Sequence, residues 1–285
     1  MGNIRDIKSR IGSIRNTRQI TNAMKMVAAA KLRKAQQGII KARPYADNIN
    51  HMLATIKFKS RETDLKIFVQ PEPTAKCALV VVTADRGLCG SFNSFVIKAA
   101  LQYLKDHPNT DLFCIGKKGT DIFKKKDVKI IKSYTGLFNE MNFSVSLDIA
   151  SDLKHHFFSN EYDHIEVIYN EFKSVIQQNI VQKQVLPIPD IKVLEGVSLL
   201  DYLYEPGEEE VIEELTNKYI NVEIWRILLE SSAAEQGTRM TAMDSATDNA
   251  SDLIESLTLQ YNMVRQAAIT NEIIEIASGA EAQNQ

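Results

Sequence analysis

Two glycine-containing segments carry residue types that could bind phosphate. Residues 116–120, Gly-Lys-Lys-Gly-Thr, combine glycine, lysine and a hydroxyl group. A phosphate-binding loop requires the order Gly-x-x-x-x-Gly-Lys-Ser/Thr, because backbone amides surround the phosphate while the lysine and the hydroxyl group reach the charge and the metal. Residues 83–93 follow a short apolar segment, as a dinucleotide-binding loop does, but they lack its Gly-x-Gly-x-x-Gly spacing. We therefore predict that both segments are tight turns that need glycine for structural reasons.

Histidine and cysteine show no pattern that indicates a site. The five histidines lack the spacing of a helical His-x-x-x-His motif or of a zinc site shared with cysteine. Cys89 lies near a predicted helix start, which could lower the pKa of its thiol, but nothing near it in the sequence supplies a base. The three cysteines also lack the pattern of a secreted disulfide framework, which favours a reducing compartment. The sequence thus predicts no catalytic residue, no cofactor and no metal.

The elements that would position any site begin with a long N-terminal helix, over residues 1–57. Its apolar residues recur at alternating spacings of three and four, which is the pattern of a coiled-coil seam. Arg18, Thr21 and Lys25 interrupt the seam together, and we expect a kink or local loosening at Pro44. The seam residues are Ile4, Ile7, Ile11, Ile14, Ala28, Leu32, Ala35, Ile39, Ala42, Ala46, Ile49, Leu53 and Ile56.

A second long helix is predicted over residues 208–285, with the same spacing. Arg226, Gln236 and Thr247 interrupt its seam, Gly279 is the predicted C-terminal stop, and its acidic residues are expected to form a solvated face. Heptad repeats of this length impose a left-handed supercoil. The seam residues are Ile212, Leu215, Tyr219, Val222, Leu229, Ala233, Met240, Met243, Ala250, Ile254, Leu257, Tyr261, Val264 and Ala268.

Between the two helices, residues 58–207 alternate short apolar strands with amphipathic segments. This order predicts a Rossmann-like α/β domain with a mostly parallel sheet over about residues 76–190, and connections at 57–75 and 190–210. The predicted fold class is therefore α/β plus a long antiparallel coiled coil of the N- and C-terminal helices. The predicted strands are 78–83, 112–115, 128–131, 165–169 and 181–188.

Antiparallel pairing of the two helices predicts a register and an unpaired end. If the helices leave the central domain at residues 57 and 208, facing residues have numbers that sum to about 265. We expect Lys25 or Arg18 to approach Asp244, because opposite charges beside a polar gap, here at Thr21, would fix the register. From about residue 262 the second helix then has no partner, although its sequence is largely apolar. This end should lie inside another protein or fold back onto the α/β domain.

The charge distribution is strongly asymmetric. Residues 1–45 carry eleven Lys or Arg against Asp6, a formal charge of +10, and residues 208–285 carry a formal charge of −11. A basic segment of this size could bind nucleic acid, but the acidic segment in the same chain argues against that reading. No apolar run approaches the roughly 20 residues that span a bilayer, so we expect any contact with a membrane to be indirect.

Three segments together resemble one known family. Residues 3–8 (Asn-Ile-Arg-Asp-Ile-Lys) and 20–28 (Ile-Thr-Asn-Ala-Met-Lys-Met-Val-Ala) are similar to the start of F-type ATP synthase gamma subunits. Residues 269–282 (Ile-Thr-Asn-Glu-Ile-Ile-Glu-Ile-Ala-Ser-Gly-Ala-Glu-Ala) are similar to the signature at their end, and residues 85–93 (Asp-Arg-Gly-Leu-Cys-Gly-Ser-Phe-Asn) to their central motif. The resemblance implies a rotor of the central stalk, which couples ion flow through a membrane c-ring to ATP synthesis or hydrolysis by alpha and beta subunits.

The resemblance also implies partners and contact residues. The partners are three alpha and three beta subunits, the epsilon subunit on the α/β domain, and the c-ring, without nucleic acid and without insertion into the membrane. Arg265 and Gln266, with Thr270 and Glu272 nearby, would engage a loop of the catalytic subunits. The residues that would meet acidic segments of beta are Met24, Lys25, Lys31, Arg33 and Lys34.

The resemblance favours the bacterial type of this family. No transit peptide precedes Met1, and the dithiol insertion of chloroplast relatives is missing. The expected location is therefore peripheral, on the cytoplasmic face of the bacterial inner membrane. Two other functions stay open at this point: a non-catalytic coiled-coil tether, and a nucleotide-binding enzyme built on the α/β domain.

Overall fold

A computed structural model describes residues 4–59, 66–72, 75–138, 141–175, 177–189, 205 and 207–283. Two long helices enclose, in sequence, an alternation of strands and shorter helices. In chain order the elements are α1 (Ile4–Lys59), β1 (Cys77–Val82), α2 (Phe92–Asp106), β2 (Thr110–Ile115), α3 (Lys117–Phe123), β3 (Ile130–Tyr134), α4 (Phe143–Phe158), β4 (His164–Phe172), β5 (Gln178–Leu186) and α5 (Glu208–Gln283).

The strands form one sheet in the order β3-β2-β1-β4-β5. The first four strands are parallel, and β5 pairs antiparallel with β4. Strand β1, with the sequence Cys-Ala-Leu-Val-Val-Val, is buried at every position, as expected for a central parallel strand covered on both faces. The prediction of a mostly parallel α/β sheet between two long terminal helices is confirmed.

The chain divides into two compact units. The first contains residues 29–239 and is built on the sheet. One face of the sheet packs against α4 and parts of α1 and α5, through side chains such as Leu53, Leu153 and Leu228. The other face packs against α2 and α3, through side chains such as Val96 and Phe123. Because both faces are covered, the strands need apolar residues at successive positions.

The second unit contains residues 1–28 and 240–285, which are segments of α1 and α5. Its apolar contacts are made by Ile7 and Ile11 of α1 with Leu257 of α5, and Ile14 and Ile254 pack against them. Each of these positions belongs to the heptad seams, so the seam residues are the ones that meet. Complete burial of one such side chain contributes about 1.5–3 kcal/mol.

The ends of the helices differ from the predictions at two positions. Helix α5 continues through Gly279 to Gln283, so the predicted stop at Gly279 is wrong. Alanine, glutamate and glutamine follow that glycine, and their helix propensity offsets its cost of about 1 kcal/mol. The acidic residues 208–210, which the sequence placed both in a connection and at the start of the second helix, form the first turn of α5, where negative charge is favourable beside the helix N-terminus.

The helix α1 ends two residues later than predicted. It continues through Pro44 without a break and ends at Lys59. Parts of the two predicted connections, residues 60–65 and 190–204, lie outside the described residues.

Candidate functional site

The carboxyl ends of β1 and β4 mark the place where a doubly wound sheet would bind a ligand. The strand order reverses there, and such sheets hold ligands in the crevice that this reversal creates. In this chain, α5 fills that place. Ala234 of α5 packs against Ala84, Cys89 and Phe92, which follow β1, and Phe172 at the end of β4 packs on the same cluster.

The backbone amides at the start of α3 are all engaged within the chain. The amide of Lys117 donates to Asp85 Oδ1 at 3.1 Å, that of Lys118 to the carbonyl oxygen of Ala84 at 3.1 Å, and that of Gly119 to Thr83 Oγ1 at 2.9 Å. A phosphate at this position would need the same groups. The segment 116–120 therefore uses its amides to join β1 to α3.

Gly116 is required by the geometry of this turn. Its φ is +90°, and an added Cβ would lie 2.0 Å from the carbonyl oxygen of Thr83. Only glycine adopts such a conformation without strain. The glycine predicted to be structural thus allows the backbone of the turn after β2 to approach the end of β1.

The three thiols are buried and lack the environment of a nucleophile. Burial raises the pKa of Cys77 and of Cys114 to about 12, and it also raises the pKa of Cys89. Cys89 is therefore held as a thiol, although it precedes α2 closely. Within the part of the chain that the structure describes, no group of three or more His, Cys, Asp or Glu residues could hold a metal ion.

Two polar pairs join α1 and α5 in the unit of residues 1–28 and 240–285. Lys25 Nζ donates to Asp244 Oδ1 at 2.5 Å, and Thr21 Oγ1 lies 2.7 Å from Thr247 Oγ1. Of the two cations considered for Asp244, Lys25 is the one in contact, whereas Arg18 is exposed.

The contacting pairs show a register slightly different from the predicted one. Their residue numbers sum to 269 for Lys25 with Asp244 and to 268 for Thr21 with Thr247, against the predicted value of about 265. Because α1 ends at Lys59 and not at residue 57, the point from which the register was counted moves by two residues. The remaining difference is less than one helical turn.

Most of the residues predicted to contact partners lie on exposed helix surfaces, and two are partly buried. In the first unit, Lys31, Arg33 and Lys34 of α1 are exposed. In the second unit, Met24 and Lys25 are partly buried. Four further residues of the second unit, on α5, are exposed: Arg265, Gln266, Thr270 and Glu272.

The end of α5 exposes large apolar side chains. Met263 is 71% exposed, Ile273 61% and Ile276 73%. The cluster of Ile7, Ile11 and Leu257 ends with Tyr261 and Val264, and residues 269–279 are exposed at every position. An apolar surface of this kind on one helix marks an interaction site.

The prediction of a solvated acidic face on α5 is wrong for three residues. Glu223, Glu230 and Glu235 are 4%, 9% and 4% exposed, respectively. Buried carboxylates need cationic or hydrogen-bonding partners, and these partners come in part from Arg226 and Arg239. The spacing of these arginines, three or four residues after a glutamate, is the one signal of pairing that the sequence contained.

Glu223 is the most strongly paired of the three. It accepts hydrogen bonds from Lys183 Nζ at 2.5 Å and from Arg226 Nη2 at 2.9 Å. Burial acts to raise the pKa of Glu223, but the two cations outweigh it and hold that pKa below its ordinary value. For Glu230 and Glu235, burial dominates and raises the pKa.

Comparison with known proteins gives a consistent result along the whole chain. The family described as ATP synthase matches residues 3–283. The ATP synthase gamma chain of Salinibacter ruber is 45% identical, over 99% of this chain and 98% of its own length. The ATP synthase gamma chain of Prosthecochloris aestuarii is 44% identical, over 99% of both chains.

Solved structures show the same likeness. A chain from the central stalk and c-ring structure of Tetrahymena thermophila mitochondrial ATP synthase matches with a TM-score of 0.63 and 27% identity, over 80% of this chain and 99% of that chain. A chain of the Euglena gracilis mitochondrial enzyme shares the fold, with a TM-score of 0.68 and 20% identity, over 98% of this chain and 94% of that chain. Among the described residues, no helix is both long and apolar enough to cross a bilayer.

Proposed function

This chain belongs to the family of ATP synthase gamma chains, and we propose that it transmits torque between the c-ring and the alpha and beta subunits without a catalytic site of its own. It is the gamma subunit of the ATP synthase and the rotor of its central stalk.

The exposed apolar end of α5 is the observation that carries the proposal. Residues 269–279 are exposed at every position, and Ile273, Ile274 and Ile276 are all more than half exposed. Such a helix is marginal and prone to aggregation in water unless another protein surrounds it. A ring of alpha and beta subunits supplies that surrounding surface. Arg265 and Gln266 then contact a loop of the catalytic subunits, and Thr270 and Glu272 contact the ring of alpha and beta subunits.

The basic residues of α1 fit a second contact with the same ring. Lys31, Arg33 and Lys34 are exposed, and no ion pair within the described residues engages them. Acidic segments of beta are the partners of matching charge, and Met24 and Lys25 contribute to the same function. Rotation of the c-ring turns these surfaces past each beta subunit in succession.

The absence of catalysis by this chain is supported by the filled crevice of the sheet. Ala234 of α5 lies where a dinucleotide would bind, and the amides at the start of α3 are engaged by Thr83, Ala84 and Asp85. This chain thus couples rotation of the c-ring to catalysis, and the beta subunits catalyse ATP synthesis or hydrolysis. The epsilon subunit and the c-ring bind the α/β domain, at the cytoplasmic face of a bacterial inner membrane, in line with the resemblance described above.

Deletion of residues 262–285 tests the proposal. The complete complex is reconstituted with this deletion, and ATP hydrolysis, ATP-driven ion pumping and ATP synthesis are measured on the same vesicles. We expect coupled synthesis and pumping to be lost because the end of the rotor no longer reaches its bearing surface. A control that removes residues 284–285 should retain both activities. Coupled synthesis unchanged by the longer deletion would contradict the proposed torque mechanism.

Nucleotide binding separates the proposal from an enzyme built on the α/β domain. Titration of the full chain with ATP in a calorimeter should show no heat of binding at micromolar nucleotide. Saturable binding would overturn the absence of a catalytic site. A coiled-coil tether, by contrast, would leave ATP synthesis insensitive to the deletion of residues 262–285.

A further inference from the structure

A series of side-chain contacts joins α5 to the elements of the sheet, and four of them follow one another along the helix. We call these four contacts the polar ladder. Each rung joins α5 to a different element: α4, β5, β4 and the segment after β1. The rungs are Lys154 Nζ to Asn217 Oδ1 at 2.9 Å, Lys183 Nζ to Glu223 Oε1 at 2.5 Å, Tyr169 Oη to Glu230 Oε2 at 3.1 Å, and Arg239 Nη2 to the carbonyl oxygen of Gly87 at 3.2 Å.

The rungs follow one another along α5 and lie on more than one of its sides, because about two and a half turns separate the last two. On the helix they occur at residues 217, 223, 230 and 239, so successive rungs are about two turns apart. The ladder covers a length of about 33 Å at 1.5 Å per residue. All of it belongs to the unit of residues 29–239.

The rungs are largely shielded from water. The side chains of Glu223, Glu230 and Arg239 are 5%, 12% and 11% exposed, respectively. Shielding strengthens hydrogen bonds and ion pairs, because the local dielectric constant is lower than that of water. Two helix neighbours support the rungs: Arg226 donates to Glu223, and Glu235 accepts from Arg239 at 2.6 Å.

Directional contacts have a consequence that apolar packing lacks. Burial of apolar surface is non-directional, so the stabilisation from side chains such as Ile220, Ile227 and Leu228 depends less steeply on the rotation of α5 than a hydrogen bond does. Hydrogen bonds weaken steeply when their angle changes. Buried polar residues within apolar seams are known to fix the register of packed helices. The polar ladder therefore resists both sliding and rotation of α5 relative to the sheet.

We infer that the polar ladder is the joint through which torque passes between the α/β domain and α5. This inference rests on the proposed rotor function, and it assigns positioning roles to Lys183, Tyr169 and Glu223. Torque applied to the α/β domain must be carried into α5 by contacts that oppose rotation. The four rungs contact α5 at four points along its length, so the torque is distributed among them.

The test measures torsional stiffness in the complete complex of alpha, beta and this full chain. A bead is attached through Lys98→Cys, an exposed position on α2, and the alpha and beta subunits are fixed to a surface. The angular variance of the bead in the paused state reports the stiffness of the path from the sheet to the ring. The three native cysteines are buried and do not compete for the bead.

The test variant is Lys183→Met with Glu223→Gln and Tyr169→Phe. It removes the sheet-side donors of two rungs. The amide oxygen introduced at position 223 can still accept from Arg226, and Glu230 keeps Arg226 as its ion-pair partner, so no buried carboxylate is left unpaired. Replacement of buried ion pairs by neutral groups of similar volume is often neutral for stability. The matched control, Lys218→Met with Glu214→Gln, removes an exposed ion pair that lies within α5 alone.

We expect the angular variance of the test variant to rise by up to about twofold above that of the control, because two of the four rungs are lost while the rest of the path keeps its stiffness. The melting temperature, followed by the fluorescence of Trp225, should stay close to that of the parent chain. Lys183→Arg, which keeps the donor, should have the parent's variance.

A variance in the test variant equal to that of the control would overturn the inference. An equal rise in the Lys183→Arg variant would overturn it as well, because that change keeps the rung. Failure of the proposed function has a different signature: the bead on the parent complex itself would then show no rotation when ATP is supplied.

Discussion

Replacement of Gly116 by alanine should destabilise the sheet unit severely. The added Cβ would lie 2.0 Å from the carbonyl oxygen of Thr83, about 1 Å inside the closest approach that such atoms make. The backbone, with φ of 90° and ψ of 143°, also lies in a region that is essentially restricted to glycine, which costs about 1–3 kcal/mol for alanine. Overpacking adds about 1–3 kcal/mol.

The expected total is about 3–5 kcal/mol, which corresponds to a fall in melting temperature of about 10 °C for a domain of this size. The assay is urea and thermal unfolding of the full chain, followed by Trp225, the single tryptophan, which lies in the sheet unit beside Phe143. The change in fluorescence then reports the unit that contains Gly116.

Gly136→Ala is the matched control. Gly136 has a φ of +81°, but an added Cβ would meet nothing within 4 Å. This substitution should therefore cost only the conformational strain of a left-handed alanine, about 1–2 kcal/mol. Equal losses of stability for the two variants would refute the argument, because the close approach to Thr83 would then have no energetic effect.

Three further predictions concern titration, thiol reactivity and the helix register. Burial lowers the pKa of His164 below its usual 6.5, so the folded chain keeps it neutral where the unfolded chain binds a proton. Stability should hence fall as the pH decreases from about 6.5, and His164→Gln should reduce that slope in urea titrations at several pH values. Because burial raises the pKa of Cys77 and Cys114 to about 12, a thiol reagent at pH 8 should modify them only after unfolding, and rapid modification of the native chain would contradict their burial. Lys25 and Asp244 are 37% and 48% exposed, so a double-mutant cycle with Lys25→Gln and Asp244→Asn should give a coupling of less than about 1 kcal/mol, and a larger value would show that the pair is shielded from water.

Much of the fold follows from periodicity in the sequence. The seams of α1 and α5 repeat every seven residues over long stretches, and this pattern predicted both helices. The helices continue through Pro44 and Gly279, because the long pattern outweighs the effect of one unfavourable residue. The five strands were predicted from short runs of β-branched residues, but their ends moved by up to three residues, as for β5, which starts at Gln178 and not at Val181. Strand ends depend on pairing with neighbours, which a local pattern does not contain.

The buried acidic residues of α5 illustrate what a local pattern misses. Glu223 looks like any exposed helical glutamate in sequence, and its partner Lys183 lies 40 positions away. Glu230 is likewise held by Tyr169, 61 positions away. Only the packing of β4 and β5 against α5 brings these groups together and makes burial of a carboxylate tolerable.

The candidate contact residues were predicted from two different kinds of signal. Lys25 and Asp244 could be placed from charge and register, because Lys25 lies on the seam of α1 and Asp244 borders the seam of α5. Arg265 and Gln266 could be named only through the resemblance to a family, because their proposed partners belong to other chains and leave no periodic signal here. The exposed apolar residues around them were foreseen from the lengths of the two helices.

The separation of Lys25 and Asp244 in the sequence has a consequence for biosynthesis. The two residues are 219 positions apart, and the unit that they join is built from the first and last segments of the chain to be made. At about 5–20 residues per second, roughly 10–40 s pass between their synthesis. The basic segment that contains Lys25 must therefore wait, without its acidic partner, until translation is almost complete, while the sheet unit can fold earlier. The unit of residues 1–28 and 240–285 is consequently the last part of the nascent chain to fold. Its N-terminal segment is the one that a chaperone would bind for the longest time.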